Sequence, residues 1–416
     1  MKKQIIQTFT DKDQYKRFEV PFEVPNDIDI IDLKFEIINN SDEDAIIDIG
    51  LKDPFKVRGW SGGSKKQITI TEEYATPGYR HGDLKSGIWN ILLSIYKAPK
   101  TGCSMSIDIV LEEKNYRWLK GDTHLHSVHS DGQFTVSEII NIYKKYNFDY
   151  LITTDHNTFT QNMSLPSHRG IIVIPGMELT TYKGHANFVG AKKPIEDFRC
   201  NHTENVSNKF AETKKNGCYT GINHPFADDN DGCMWEWGFK FPFDWIEIWN
   251  RNWSYMNQNA LDWWHSKLCK GKKISVIGGS DNHNSKDYYD LSKPVTNVYV
   301  NSLNKNNILE GFKRGNVFIS SIDGPLIDMY TDNNILGEST EDKKVKIKLS
   351  NLFKHDNVRL LSDLGEEKYI EIVDDGKLEL EFCRVNQKFI RVEVCRYRSN
   401  TNNHEKILLT NPIYFK

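Results

Sequence analysis

Residue types that can do chemistry are concentrated in one short stretch, "GDTHLHSVHSDG" at residues 121–132. It holds three histidines and two aspartates in twelve positions. His124 and His126 are two positions apart, so in an extended segment both imidazoles point to the same side and can reach one ion. Neutral imidazole together with carboxylate suits Zn²⁺, Mn²⁺ or Fe²⁺ better than Ca²⁺ or a pure Mg²⁺ site. The stretch therefore predicts a metal site.

Other segments in the middle of the chain carry the same residue types. Ten of the 13 histidines lie between residues 121 and 283. Seven apolar, strand-like segments bear metal-capable side chains, and six of them bear these at or just past the carboxyl end: "RWLKGDTHLH", "DYLITTDHN", "IIVIPGMELT", "GHANFVGA", "CYTGINHP", "DWIEIWN" and "KKISVIGGSDNH". Because the carboxyl ends of parallel strands meet at one face of an α/β barrel, these side chains are predicted to share one active site.

The elements that must position these residues suggest three domains. Residues 1–115 contain short β-prone runs separated by turn residues, which predicts a β-sandwich. Residues 116–321 alternate near-continuous apolar strands with helices, as in an α/β fold with buried parallel strands. Residues 322–416 return to short β-prone runs and predict a second, smaller β domain.

Four helices are predicted in the middle domain. "TVSEIINIYKKYN" opens at Thr135 with Glu138 three residues later, which is a capping box. The others are residues 204–216, "NQNALDWWHSKLCK" and "NKNNILEGFKR".

The overall composition excludes several classes of function. A net charge of −3 gives no basic surface for long nucleic acids. No run approaches the ~20 apolar residues of a membrane span. The seven cysteines are scattered without a CxxC pair, which predicts reduced thiols and a cytoplasmic protein. Neither Cys218 nor Cys233 has an activating context, and no GxSxG is present, so we predict no side-chain nucleophile.

Five motifs together resemble those of the PHP (polymerase and histidinol phosphatase) superfamily of metal-dependent hydrolases: "DTHLHSVHSDG", "TTDHN", "PGMEL", "NHP" and "GSDNH". The resemblance covers about residues 117–320. It implies a distorted (β/α)7 PHP barrel with two or three divalent metal ions, Zn, Mn or Fe. The flanking N-terminal and C-terminal β-sandwich domains are similar to the arrangement in the carbaryl-hydrolase-like (CehA/McbA) branch.

The same resemblance implies a ligand set. The first metal would be held by His124, His126, Glu178 and Asp281. Glu178 would bridge to a second metal held by His185 and His224. The third would be held by Asp131, His156 and His283, with His129 as the rival to Asp131. Glu178, His224 and Asp281 are the predicted catalytic residues.

Further polar residues are predicted to support this set or the substrate. Asp122, Asp155 and Glu247 are candidates for carboxylates that fix the tautomer of a ligating histidine. For Glu247 a purely structural hydrogen bond is an equal alternative. Predicted substrate contacts are Lys183, Asn250 and Arg251, although a surface salt bridge explains Arg251 as well.

The predicted function is a metal-dependent phosphoesterase that hydrolyses a small phosphate ester, such as a nucleotide, by metal-bound hydroxide. One alternative is a metal-dependent hydrolase of carboxylic or carbamate esters. The other is a non-catalytic, metal-stabilised binding protein with two β modules. In the first two cases the partner is a small-molecule ester.

Overall fold

A computed structural model describes residues 1–39, 43–228, 232–287, 291, 294–398 and 403–416 of the chain. These residues form a β-rich fold with five sheets and four α-helices. They divide into two compact units, of which the first comprises residues 1–116, 167–170 and 301–304, and the second residues 117–166, 171–300 and 305–416.

The first unit is built from antiparallel strands. Its strands are β1 (Lys2–Phe9), β2 (Arg17–Val24), β3 (Ile28–Asn39), β4 (Ile46–Lys52), β5 (Val57–Ser61), β6 (Gln67–Ile70), β7 (Gly87–Lys97) and β8 (Cys103–Glu113). They form two four-stranded sheets in the orders β1-β8-β3-β6 and β2-β7-β4-β5. Leu33 and Ile107 of one sheet share a core with Trp89 of the other. The predicted β structure of this part is therefore confirmed.

The second unit contains the four α-helices and the remaining strands that the structure describes. Its helices are α1 (Val136–Lys144), α2 (Thr203–Lys215), α3 (Tyr255–Cys269) and α4 (Lys305–Arg314). The strands up to residue 320 are β9 (Arg117–Leu125), β10 (Tyr150–Thr153), β11 (Ile172–Ile174), β12 (Gly176–Thr181), β13 (Gly184–Val189), β14 (Tyr219–Ile222), β15 (Trp245–Asn250), β16 (Ser275–Gly279), β17 (Val295–Val300) and β18 (Val317–Ser320). The strands beyond are β19 (Leu326–Tyr330), β20 (Ser339–Thr340), β21 (Lys344–Leu352), β22 (Asn357–Ser362), β23 (Gly365–Glu371), β24 (Gly376–Cys383), β25 (Phe389–Arg398), β26 (Asn403–Thr410) and β27 (Ile413–Phe415).

The four predicted helices are all present, and α1 shows why the sequence forms one there. Glu138 N donates to Thr135 Oγ1 at 3.3 Å, and Thr135 N donates to Glu138 Oε2 at 2.9 Å. This pair is the predicted capping box. The buried face of the helix includes Ile139, Ile140 and Tyr143. None of the helices that the structure describes is long and apolar enough to cross a membrane.

Among the described strands between residues 117 and 320, parallel pairing occurs in two groups; farther along the chain, β20 and β27 also pair in parallel. β11-β10-β9 and β14-β15-β16 are parallel. The prediction of parallel strands is wrong for β12, β13, β17 and β18, which pair antiparallel with their neighbours. β12 and β13 are joined by only Tyr182 and Lys183, and so short a connection permits only a hairpin.

Single bridges link the carboxyl ends of β9 and β10, which belong to one sheet, to residues in or next to another sheet. Leu125 at the end of β9 bridges to Asn282, and His156 after β10 bridges to Glu178 in β12. The segments that follow β9, β10 and β16 are thereby brought next to β12, which gathers the predicted ligands.

The C-terminal strands continue into the same unit. β26 pairs antiparallel with β18, and Phe389 and Leu409 pack in one core with Ile246 and Trp264. The predicted domain boundaries near residues 115 and 321 stay predictions.

Candidate metal centre

The structure brings all nine predicted ligands into one cluster. Each belongs to at least one of four overlapping groups, in which the potential ligand atoms lie within 4.8 Å of one another. The groups are His126, Asp131, His156 and His283; His124, His126 and Asp281; His124, His224 and Glu247; and His156, Glu178 and His185. Such groups of imidazole and carboxylate could hold divalent metals. How they divide among individual metals stays a prediction.

Glu178 in β12 lies at the middle of this cluster and is fully buried. Five histidines surround its two carboxylate oxygens at nitrogen–oxygen distances of 2.8 to 3.6 Å: His124, His126, His156, His185 and His224. Asn223 Nδ2 also donates to Glu178 Oε1 at 2.6 Å. Its position between five histidines from four segments suits the predicted bridging role.

Asp281, just after β16, faces the histidines of the cluster with one carboxylate oxygen and the guanidinium of Arg251 with the other. Its Oδ1 lies 3.2 Å from His126 Nε2 and 3.6 Å from His124 Nε2, whereas its Oδ2 lies 3.0 Å from Arg251 Nη2. The backbone φ angles of Asp281, Arg251 and His224 are 52°, 53° and 24°. Non-glycine residues in this region cost of order 1–3 kcal/mol each and tend to occur at functional sites.

Asp131 is half exposed and lies closer to the cluster than His129. Its oxygens are 3.4 Å from His283 Nε2 and 3.6 Å from His156 Nε2. His129 Nδ1 instead lies 2.8 Å from Thr160 Oγ1. Among the described residues, His129 belongs to none of the four groups. The geometry therefore favours Asp131 over its rival.

Several buried polar atoms of the cluster have no hydrogen-bond partner, which tests whether the residues fit a metal. They are His124 Nε2, His126 Nδ1 and Nε2, Glu178 Oε2 and His224 Nδ1. One such atom costs about 1–3 kcal/mol when buried without a partner. Metal coordination would supply partners for these atoms, so the side chains fit divalent cations.

The histidines and carboxylates of the cluster shift one another's pKa values. Burial lowers the pKa of His124, but Glu178, Glu247 and Asp281 together raise it well above its ordinary value. At His156 and His224, burial also lowers the pKa, but the neighbouring carboxylates outweigh this effect, so both pKa values are raised. Burial raises the pKa of Glu178, yet its histidine neighbours, chiefly His124, bring it well below the ordinary value.

Metal binding is expected to release protons. Metals bind neutral imidazole, whereas the neighbouring carboxylates raise the pKa values of His124, His156 and His224, so these rings keep their protons to higher pH than an ordinary histidine does. Metal affinity should therefore rise as the pH increases above about 6.5, the ordinary pKa of histidine. Calorimetric titration with Zn²⁺ in buffers of different ionisation enthalpy measures the number released. A binding heat at pH 7 that is the same in every buffer would contradict the expectation.

Glu247 in β15 contacts two of the predicted ligands. Its Oε1 lies 3.1 Å from His124 Nδ1, and its Oε2 accepts from His224 N at 3.0 Å and from Asn250 Nδ2 at 3.1 Å. The approach requires Gly279, where a Cβ atom would lie 2.6 Å from Glu247 Oε1. Of the two alternatives, direct contact with a ligating histidine is the one that the geometry favours. Glu247 also belongs to a ligand group itself.

Asp122 and Asp155 hold the chain segments around the ligands. Asp122 accepts from Ser280 N at 3.0 Å, from His124 N at 3.2 Å and from Tyr143 Oη at 2.7 Å. It thereby ties the end of β9 to the segment after β16.

Asp155 accepts from Ser127 N at 2.8 Å and from Ser130 Oγ at 3.0 Å, which fixes the loop before Asp131. The hydrogen bonds of Asp122 and Asp155 hold chain segments in place. They do not fix which ring nitrogen of a histidine carries the proton.

Two supporting residues, Asn223 and Tyr143, are not predicted by the sequence patterns. Asn223 precedes His224 in "NHP", so its place at a strand end was an available signal. Tyr143 lies on the apolar face of α1, and that pattern indicated only core packing. Nothing in the local sequence shows that its hydroxyl reaches Asp122.

A cavity of about 410 Å³ adjoins the cluster. His224, Glu247 and Asp281 contribute to its wall, together with the predicted substrate contacts Asn250 and Arg251. Its other lining residues include Phe226, Cys233, Met256 and Ala260. The segment "NHPFADDNDG" at residues 223–232 contributes Phe226, Ala227 and Asp228 to the wall, and its residues 229–231 lie outside the described residues.

Lys183, the third predicted substrate contact, is absent from the described lining of this cavity. Its Nζ lies 3.9 Å from Glu236 Oε2 and above the ring of Trp237. Cys218 is buried, and burial raises the pKa of its thiol to about 11, consistent with a packing role.

Comparison with known proteins gives distant structural likenesses. No family model matches the sequence, and no curated protein matches it. One similar solved structure is a two-domain protein containing a predicted PHP-like metal-dependent phosphoesterase from Bacteroides vulgatus, at 17% identity and a TM-score of 0.42, covering 72% of this chain and 96% of that one. Another is an amidohydrolase from Chromobacterium violaceum with bound sulfate and no metal, at 13% identity and a TM-score of 0.27, covering 39% of this chain and 87% of that one.

Proposed function

We propose that the protein is a metal-dependent hydrolase of small phosphate esters, with a PHP-type site in its second unit. The observation that carries the proposal is the convergence of histidines and carboxylates on Glu178, with five unpartnered buried polar atoms among them. Arg251 at the adjoining cavity supports a phosphate ester, because guanidinium matches the geometry of phosphate oxygens.

The chain's own residues would divide the work as follows. His124, His126, Glu178 and Asp281 would hold metal with the other histidines of the cluster. Bound divalent cations supply water of lowered pKa and offset the charge that develops on the leaving oxygen. Arg251 would bind and orient the phosphoryl group, while Asp281 Oδ2 keeps the guanidinium in place.

The lining of the cavity also favours a second candidate. Phe226, Met256 and Ala260 offer apolar surface that fits a neutral ester. Hydrolysis of a carboxylic or carbamate ester is therefore the alternative reaction.

Metal analysis followed by an ester panel tests the proposal. We expect the purified protein to contain divalent metal and to release p-nitrophenol from a phosphate ester in the presence of Mn²⁺. Dialysis against a chelator should abolish this release, and added Mn²⁺ should restore it. Turnover of p-nitrophenyl butyrate alone would support the alternative reaction. Full metal content with no turnover of any ester would contradict both and favour a binding protein.

A further inference from the structure

The Arg251–Asp281 ion pair lies between two cavities of similar size. Each has a volume of about 410 Å³, and both are lined by Arg251, Asn252 and Asp281. Asp281 also belongs to the ligand cluster. A phosphoryl group held beside this pair therefore has room for a substituent on each of two sides.

The two cavities differ in chemistry. The first, described above, contains Phe226, Ala227, Met256 and Ala260 and fits an apolar or aromatic group. The lining of the second beyond the shared residues bears hydroxyl, amide and imidazole groups: Ser280, Asn282, His283, Asn284 and Ser285. Such a lining fits a group that carries hydroxyls or amides.

The charges at the first cavity also bear on the substrate. Asp228, Glu247 and Asp281 contribute carboxyl groups to its described lining, and Arg251 contributes a guanidinium that Asp281 already pairs. A phosphomonoester carries a charge of about −1.5 to −2 at pH 7, since its second pKa is about 6. A phosphodiester has no second ionisation and stays at a single negative charge. Outside the metal cluster, the described lining holds one cationic side chain, Arg251, so it offers a counterion for the single charge of a diester but no second cation for the second charge of a monoester.

On the basis of the proposed function, we infer that the substrate is a phosphodiester with one apolar arm and one polar, hydroxyl- or amide-bearing arm. The apolar arm lies in the cavity that contains Met256, and the polar arm in the cavity that contains Asn284. In the reaction, the oxygen of water forms a bond to phosphorus and one ester P–O bond breaks. The departing oxygen takes a proton from the water, giving an alcohol or phenol and a phosphomonoester.

Three probes with the same leaving group test this inference on the metal-loaded full chain. They are p-nitrophenyl phosphate, bis(p-nitrophenyl) phosphate and the p-nitrophenyl ester of thymidine 5′-phosphate. We expect kcat/KM to be highest for the thymidine diester, at least tenfold above the monoester, and intermediate for the diester with two aromatic arms.

A pair of variants locates the polar arm. Asn284→Trp adds bulk at an exposed residue of the second cavity and should lower the preference for the thymidine diester over bis(p-nitrophenyl) phosphate about tenfold. Lys272→Trp adds the same side chain at an exposed residue that is absent from the described lining of both cavities, and should leave this preference unchanged.

The outcomes separate the inference from the proposed function. Faster hydrolysis of the monoester than of both diesters would overturn the inference and leave a phosphoesterase standing. An unchanged preference in Asn284→Trp would also overturn the assignment of the polar arm. Failure of the metal-loaded protein on all three probes would contradict the proposed function itself.

Discussion

Replacing Glu178 by glutamine is expected to remove most of the bound metal and to lower kcat/KM by about 10³-fold. The carboxylate lies within 3.6 Å of five imidazoles and is fully buried. Because bulk solvent does not reach it, solvent cannot compensate for the loss of its negative charge. Glutamine is nearly the same size but is neutral, and its amide nitrogen cannot bind a cation. The loss of several kcal/mol of transition-state stabilisation by metal corresponds to a factor of this size.

Elemental analysis and steady-state kinetics on the same preparation measure both effects. Glu341→Gln is the matched control, since it makes the same chemical change at an exposed residue of the C-terminal part. It should leave metal content and rate unchanged. Full metal content and an unchanged rate in Glu178→Gln would remove the bridging role from Glu178.

The sequence predicted the members of the metal cluster because their signals are local. His124 and His126 are two residues apart in a strand, and the structure places both imidazoles within 3.6 Å of Asp281 Oδ1. The motifs at the ends of β10, β14 and β16 similarly place one or two polar side chains just beyond a short apolar run. Local spacing therefore indicated polar side chains at the strand ends, and the resemblance to the PHP motifs implied which of them form the ligand set.

Contacts between distant segments could not be predicted in the same way. Tyr143 and Ser280 both donate hydrogen bonds to Asp122, although Tyr143 and Ser280 lie 137 residues apart in the sequence. The direction of strand pairing was also missed for β12 and β13, because a continuous apolar run looks the same in a parallel and an antiparallel buried strand. The hairpin at Tyr182 and Lys183 decides the direction, and its two residues lack the asparagine or glycine that would mark such a turn.

Replacing Glu247 by glutamine is expected to weaken metal binding by about 10- to 100-fold, the usual effect of removing a carboxylate that orients a ligating histidine. One oxygen of Glu247 faces His124 Nδ1, and the other accepts from His224 N. Glutamine offers one acceptor and one donor, so it can satisfy only one of these two contacts. If the amide nitrogen faces His124, the imidazole has to move its proton to Nε2, the atom that faces Glu178 and Asp281.

Saturating metal distinguishes a positioning role for Glu247 from a direct one. Because positioning acts through the affinity of His124, raising the Mn²⁺ concentration should restore most of kcat in Glu247→Gln, whereas Glu178→Gln should keep its low rate. Metal affinity and kcat as a function of Mn²⁺ concentration provide the measurement, and thermal unfolding in chelator reports any loss of stability separately. A kcat that stays low at saturating Mn²⁺ would contradict the positioning role and make Glu247 a direct ligand, as its membership of a group with His124 and His224 permits.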